Sequence, residues 1–235
     1  MIKLENIVLP SAEQMEFIIQ GMRNPMNSWE KSDSVQCKYG VDCDFCESRN
    51  QCNEFYLGKN DRNLMQNLAN AGSDHRKFMR MMPVYVRITA PLYWWKEFDT
   101  YKVGTVTNSC STMHKITEKK FKYEDFSTDK LMVSGTEYIM KLIVHLNELR
   151  DAYLNYDLWD NNGYKKPSKK DIWWQMIQLL PSSYNQTRNV MMNYEVLANI
   201  YRQRKNHKLD EWRKFCKWIE KVPYFELITG PRKIK

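Results

Sequence analysis

The sequence predicts an α+β fold, mostly helical with a small sheet. Long stretches place apolar residues at helical spacing, as in Thr136 to Tyr156 with Ile139, Leu142, Ile143, Leu146, Leu149 and Tyr153. Short runs such as Val84 to Ile88 combine β-branched and aromatic residues in the alternation of a strand. The chain has 235 residues, 43% of them hydrophobic and 13% aromatic, enough for one sizeable core and too aromatic for disorder.

The elements follow in order. LENIVLP opens as a strand, and Ser11 caps a helix carrying Glu13 in its first turn and Met15, Phe17, Ile18, Ile19 and Met22 behind it. Asn24 to Ser28 is turn chemistry, and residues 31–60 form a polar, cysteine-rich insert. A helix is expected from Asp61 to Ala71, with Leu64, Met65 and Leu68 on one face and Gly72 to stop it. Asp74 to Met82 leads into the strand Val84 to Ile88, and Ala90-Pro91 then starts the helix PLYWWKEFDTY. Val103 to His114 lacks helical periodicity and is rich in hydroxyls, so a ligand-carrying loop is expected there. Phe126 to Lys130 reads as a link before the long helix, and Trp159 to Lys170 as an exposed loop. Helices are expected from Asp171 to Leu180, from Ser182 or Ser183 to Arg204, and from Leu209 to Lys221. Residues 1–73 thus read as an N-terminal strand and helix region, 74–225 as the core, and 226–235 as a basic tail.

The formal net charge of +8 favours anionic partners. Asp and Glu are interleaved with Lys and Arg almost throughout, which makes a nucleotide phosphate a better expectation than nucleic acid. No apolar run is long enough for a membrane span, and MIKLENIVLPSAEQ lacks the features of a signal peptide, so the expected location is the cytoplasm.

Four of the six cysteines cluster as Cys37-x5-Cys43-x2-Cys46-x5-Cys52. A structural zinc on these four thiolates is the favoured reading, because the central pair makes half a tetrahedral site and Gly40 eases the turn. Free thiols, or an iron–sulfur cluster, remain open. For Cys110, activation by Lys102 or His114 is conceivable, but a buried, inert thiol is the expected state. The sequence carries no G-x-G-x-x-G, no G-x-S-x-G, and no H-x-E with P-C-x-x-C, so Rossmann, hydrolase and deaminase readings lack their motifs.

Two segments carry a family resemblance. One is the strand and Ala-Pro helix VYVRITAPLYWWKEFD followed by the loop Thr100 to His114. The other is LLPSSYNQTRNVMMNYEVLANIYRQRKNHKLDEW, with a Leu-Pro step, then Asn193, Asn199 and Arg204. Their order and spacing resemble the flavin-dependent thymidylate synthases (ThyX), which bind dUMP, FAD and a folate between subunits. The resemblance implies a ThyX-like fold, a homotetramer and pockets shared between subunits. It covers roughly residues 74–220. The kept and lost residues suggest a divergent branch, phage-encoded in our reading.

The family's fingerprint is R-H-R-x-x-S-x-N-E-x-S-x-R-Y. Here Lys102 stands for an arginine and Thr105 for a serine; with one extra residue allowed, Asn108 and Ser111 match the Asn and second Ser. The leading Arg and His become Thr100 and Tyr101, the Glu becomes Ser109, and the last Arg becomes Met113. Glu195 reverses the charge of a further family arginine, and Ile177 replaces another. Threonine and tyrosine cannot supply the charged forks that hold flavin phosphates, which argues against FAD. The resemblance implies ligand contacts for Lys102, Thr105, Asn108, Ser111, Asn193, Asn199 and Arg204. Ser109 and Thr112 read as further hydrogen-bond donors of the same loop. Arg204 matches an arginine that meets substrate phosphate, with pairing to an acid such as Glu211 as the alternative.

The expected function is binding of a pyrimidine nucleotide through its phosphate, without conventional FAD-dependent methylation of dUMP. The alternatives are a phage protein that sequesters a nucleotide immune signal as an anti-defence device, an active flavin-dependent synthase, and an oligomer that keeps only the fold.

Overall fold

The computed structural model describes residues 1–36, 55–158 and 165–230. The four clustered cysteines, the start of the Trp159 to Lys170 loop and the last five residues of the basic tail lie outside them.

Strand β1 (Lys3–Val8) leads to helix α1 (Ala12–Arg23). Ser11 Oγ accepts from Gln14 N at 3.3 Å, and Ser11 N donates to the Gln14 side chain at 3.0 Å. This capping box satisfies donors a helix N-terminus leaves open. Met15, Ile18, Ile19 and Met22 fall on its buried face. The two-residue strands β2 (Val35–Gln36) and β3 (Phe55–Tyr56) pair antiparallel. Then come α2 (Lys59–Asn70), α3 (Lys77–Arg80), β4 (Pro83–Pro91) and α4 (Leu92–Phe98). In β4, Val84, Val86, Ile88 and Ala90 are buried in the period of two that the sequence predicted.

The expected loop from Val103 to His114 contains β5 (Val106–Ser109) and the one-turn helix α5 (Thr112–Lys115). Every residue of β5 is exposed, so no alternation of hydrophobicity marked it. Helices α6 (Val133–Leu154) and α7 (Lys169–Leu179) follow, the second capped by a Ser168–Asp171 box. The expected long helix from Ser182 to Arg204 is instead strand β6 (Asn185–Asn193) followed by helix α8 (Tyr194–Arg204). Asn193 makes the break: its side chain accepts from Val196 N at 3.0 Å and caps α8. The apolar residues before it fit either period, and pairing with β4 decided between them. The chain closes with α9 (Asp210–Ile219) and α10 (Glu226–Thr229).

Four strands make one sheet in the order β1-β4-β6-β5. Strands β4 and β6 run antiparallel: Leu92 N donates to Tyr184 O at 3.0 Å beyond one end, and Tyr194 N to Met82 O at 3.1 Å beyond the other.

By internal contacts the chain divides into two compact units, each discontinuous in sequence. The first comprises 1–4, 87–100 and 108–189; the second 5–86, 101–107 and 190–235. In the first, α6 and α7 pack around Phe121, Phe126, Ile139, Ile143, Leu146 and Met176. In the second, α8 packs on α3, α9 and α10, and α1 on α3. Its largest fully buried side chains include Trp212, Tyr194, Phe215 and Met79.

Candidate functional site

The residues that the sequence singled out fall into both units. Lys102, Thr105, Asn193, Asn199 and Arg204 belong to the second; Asn108, Ser109, Ser111 and Thr112 to the first.

In the second unit Arg204, at the end of α8, donates from Nε to the Tyr101 hydroxyl at 2.9 Å. Its guanidinium also lies over the Trp212 ring, 4.8 Å from the centroid. The Tyr101 hydroxyl itself donates to Gln203 Oε1 at 2.9 Å. A cation on an indole face with one nitrogen anchored is oriented before any ligand arrives. Lys102 is exposed beside Tyr101. Gly104 follows with φ +76; a Cβ there would come within 2.9 Å of Asn193 Nδ2 and 3.2 Å of Val196. Glycine takes that backbone without strain and lets the loop lie close to the start of α8. The Thr105 hydroxyl is buried with no hydrogen-bond partner among the described residues, and Asn199 Oδ1 accepts from Arg202 at 2.5 Å. Glu195 pairs with Arg80, which keeps that guanidinium more firmly protonated through a hydrogen bond and its charge.

Neither the buried Cys216 nor the partly buried Tyr201 is ionised near neutrality. Burial, aided by the Glu220 charge, pushes the Cys216 thiol up to about 12. Burial and the hydrogen bond to Glu220 push the Tyr201 hydroxyl up to about 12 as well.

In the first unit, Ser111 caps α5 by accepting from His114 N at 3.4 Å. Gln186 on β6 organises the loop before it. Its amide nitrogen donates to Cys110 O at 3.1 Å and to Thr112 Oγ1 at 3.2 Å. Its carbonyl accepts from Arg188 Nε at 2.9 Å. Arg188 is itself held by Asp99 at 2.7 Å and stacks 4.2 Å from the Trp95 ring centroid. Cys110 is exposed rather than buried as expected.

This loop borders a cleft of about 680 Å³ whose lining includes Cys110, Ser111, Thr112, Tyr184, Gln186 and Arg150. Lys115, Lys119, Lys120 and Lys122 also line it, against Glu118 and Asp125. Sequence reasoning missed this cleft, although its signal was present: four lysines in the eight positions from 115 to 122. Asn108 and Ser109 lie on β5 and are not among its lining residues. Among the described residues no group of three or more His, Cys, Asp or Glu side chains could hold a metal ion. The zinc reading of Cys37, Cys43, Cys46 and Cys52 concerns residues outside that set. No helix among the described residues is long and apolar enough to cross a membrane.

The arrangement of helices and small sheet is that of the flavin-dependent thymidylate synthase fold. Two solved structures carry the comparison, both of ThyX from Helicobacter pylori with FAD and dUMP. The first is 15% identical at a TM-score of 0.62, covering 97% of each chain. The second, determined at 2.31 Å resolution, is 14% identical at a TM-score of 0.60, covering 97% of this chain and 96% of that one. The likeness therefore extends beyond residues 74–220, over which the sequence resemblance runs. At this identity the likeness establishes the fold alone. No protein-family model and no curated protein matches the sequence.

The residues present can be tested against a flavin. At the family's arginine-histidine-arginine positions stand Thr100, Tyr101 and Lys102, and only Lys102 is a cation. Tyr101 is engaged by Arg204, and Glu195 by Arg80. This donor set does not fit a flavin pyrophosphate held in the family's manner, which asks for several charged forks.

Proposed function

We propose that this chain is a nucleotide-binding protein on a ThyX-like fold that takes a pyrimidine nucleotide by its phosphate and does not methylate dUMP with FAD. The observation that carries the reading is that two of the departures from the family pattern, Tyr101 and Glu195, have partners within the chain. Tyr101 has become an anchor for Arg204, and Glu195 has a partner in Arg80. A site that had merely decayed would leave such groups without matched partners; these belong to a rebuilt polar cluster. Without flavin the chain has no hydride donor, since side chains cannot supply one. Retained phosphate-binding groups with lost redox groups favour sequestration over turnover, the role of a phage protein that soaks up a nucleotide signal.

In this reading Arg204 and Lys102 receive the phosphate. Asn193, Asn199 and Thr105, in the same unit, serve as polar neighbours. The functional form is a homotetramer with pockets between subunits. Exposed Met132, Val133, Met140 and Val144 on and beside α6 are apolar enough to support an interface. The oligomer is checked by light scattering on the purified chain.

The test is mass spectrometry of small molecules released by denaturing the purified protein, with an absorbance spectrum of the same sample. A nucleotide without flavin is the expected result. Released FAD would overturn the reading and restore a flavoenzyme, and a sample that neither contains nor binds nucleotide would leave only the fold.

A further inference from the structure

We infer that the cleft of the first unit is a second binding site, for a nucleoside polyphosphate, with the phosphates on a lysine rim and the nucleoside against Tyr184. The inference does not rest on the reading of Arg204, because every residue it uses lies within the first unit.

Charge comes first. Lys115, Lys119, Lys120, Lys122 and Arg150 line the cleft against two carboxylates, Glu118 and Asp125. Three of the five cations have acidic neighbours. Lys115 pairs with Glu118, Lys120 lies 3.9 Å from Asp151, and Arg150 lies 3.0 Å from Asp151. Lys119 and Lys122 have no such pair among the described residues. Two uncompensated ammonium groups in one concave wall concentrate positive potential where a ligand can reach it.

A second observation concerns Arg150, which lines the cleft. Its side chain is only 12% exposed, its two terminal nitrogens donate to Asp151 and to Glu118 O, and its buried Nε has no acceptor among the described residues. A buried charged donor without a partner is costly unless something supplies an acceptor. A phosphate oxygen is an acceptor of the right kind.

The third observation selects a nucleoside rather than a bare anion. Tyr184 is half-buried, its ring fixed edge-on by Phe121 and Phe126 at centroid distances of 6.3 and 5.6 Å. Ile116 and Phe121 add apolar surface to the same lining, and the Tyr184 hydroxyl has no hydrogen-bond partner among the described residues. Burial raises the pKa of that hydroxyl, so it stays a neutral donor. An inorganic polyphosphate would use the rim and leave this wall wet; a ligand carrying a flat ring behind its phosphates uses both.

The test is calorimetric titration of the full chain with UTP and ATP, with inorganic tripolyphosphate and a thymidine oligonucleotide as comparators. Lys119→Glu/Lys122→Glu is the diagnostic variant, and Lys217→Glu on α9 the control for net charge. We expect saturable binding of at least one nucleoside triphosphate, weaker binding of tripolyphosphate, and loss of affinity with added salt. The double variant should lose about tenfold or more, as removal of charge-assisted phosphate contacts predicts, and the control should not. Absence of saturable triphosphate binding would overturn the inference. Tripolyphosphate binding as tightly as the triphosphate would overturn the nucleoside part, and tighter binding of the oligonucleotide would make the cleft a nucleic-acid groove instead. Binding abolished by Arg204→Ala but indifferent to the lysine variant would overturn this site while supporting the one above.

Discussion

In the second unit, all three guanidinium nitrogens of Arg23 meet acceptors: Asp61 at 2.6 Å, Ser28 O at 3.1 Å and Lys31 O at 3.0 Å. Asp61 in turn accepts from Ser32 and Ser34 and from the backbone of Asp33 and Ser34. Gly58 sits so close to Asp33 that any Cβ would collide with it. In the first unit, Lys119 and Lys122 line a cleft that also holds Glu118 and Asp125, yet neither lysine forms an ion pair among the described residues. The same type of charge holds structure together in one place and stands ready in the other. The difference teaches where to look for a ligand: charges already answered by the protein report stability, and unanswered ones in a concavity report binding.

The largest effect should come from breaking the closed network. Asp61→Ala leaves Arg23 buried without its partner, and the loss should be about 3–5 kcal/mol by denaturant unfolding. The same pair gives an acid signature. Burial opposes the Asp61 charge, yet hydrogen bonds from Ser34, Ser32 and Arg23 and the Arg23 charge carry its pKa below the ordinary value. A lowered folded-state pKa means its stabilisation is full above the unfolded carboxylate value, about 3.9. It fades as pH falls through the folded value. Asp61→Asn should flatten that acid limb of the stability profile.

Next is Gly104→Ala, which forces φ +76 on a residue with a Cβ beside Asn193 and should cost about 1–3 kcal/mol. Asn193→Ala removes the cap of α8 and should cost about 1 kcal/mol, seen as a lower midpoint with unchanged slope. Tyr101→Phe removes the acceptor for Arg204 and should cost about 0.5–1.5 kcal/mol while weakening nucleotide binding at that cluster. Smallest of all, Lys119→Glu/Lys122→Glu should change stability by less than about 0.5 kcal/mol, because these side chains are exposed and unpaired. A large loss there would erase the contrast between the units.

By itself the sequence determined the capped helix α1, the body of α7, the alternating strand β4 and the amphipathic α6, because caps and periodicity are written in neighbouring residues; the Ser168 cap of α7 fell inside an expected loop. It also pointed to the ThyX-like fold, through two segments whose order and spacing resemble that family. Only the tertiary structure decided that residues 185–193 form a strand, since their apolar pattern served either period until β4 offered a partner. It likewise decided that β5 exists, for an exposed strand has no hydrophobic alternation. The fate of the charges was a tertiary matter as well. Arg23 and Lys119 are both basic letters in a polar context, and what separates them is whether a distant residue such as Asp61, 38 positions away, folds back to answer the charge.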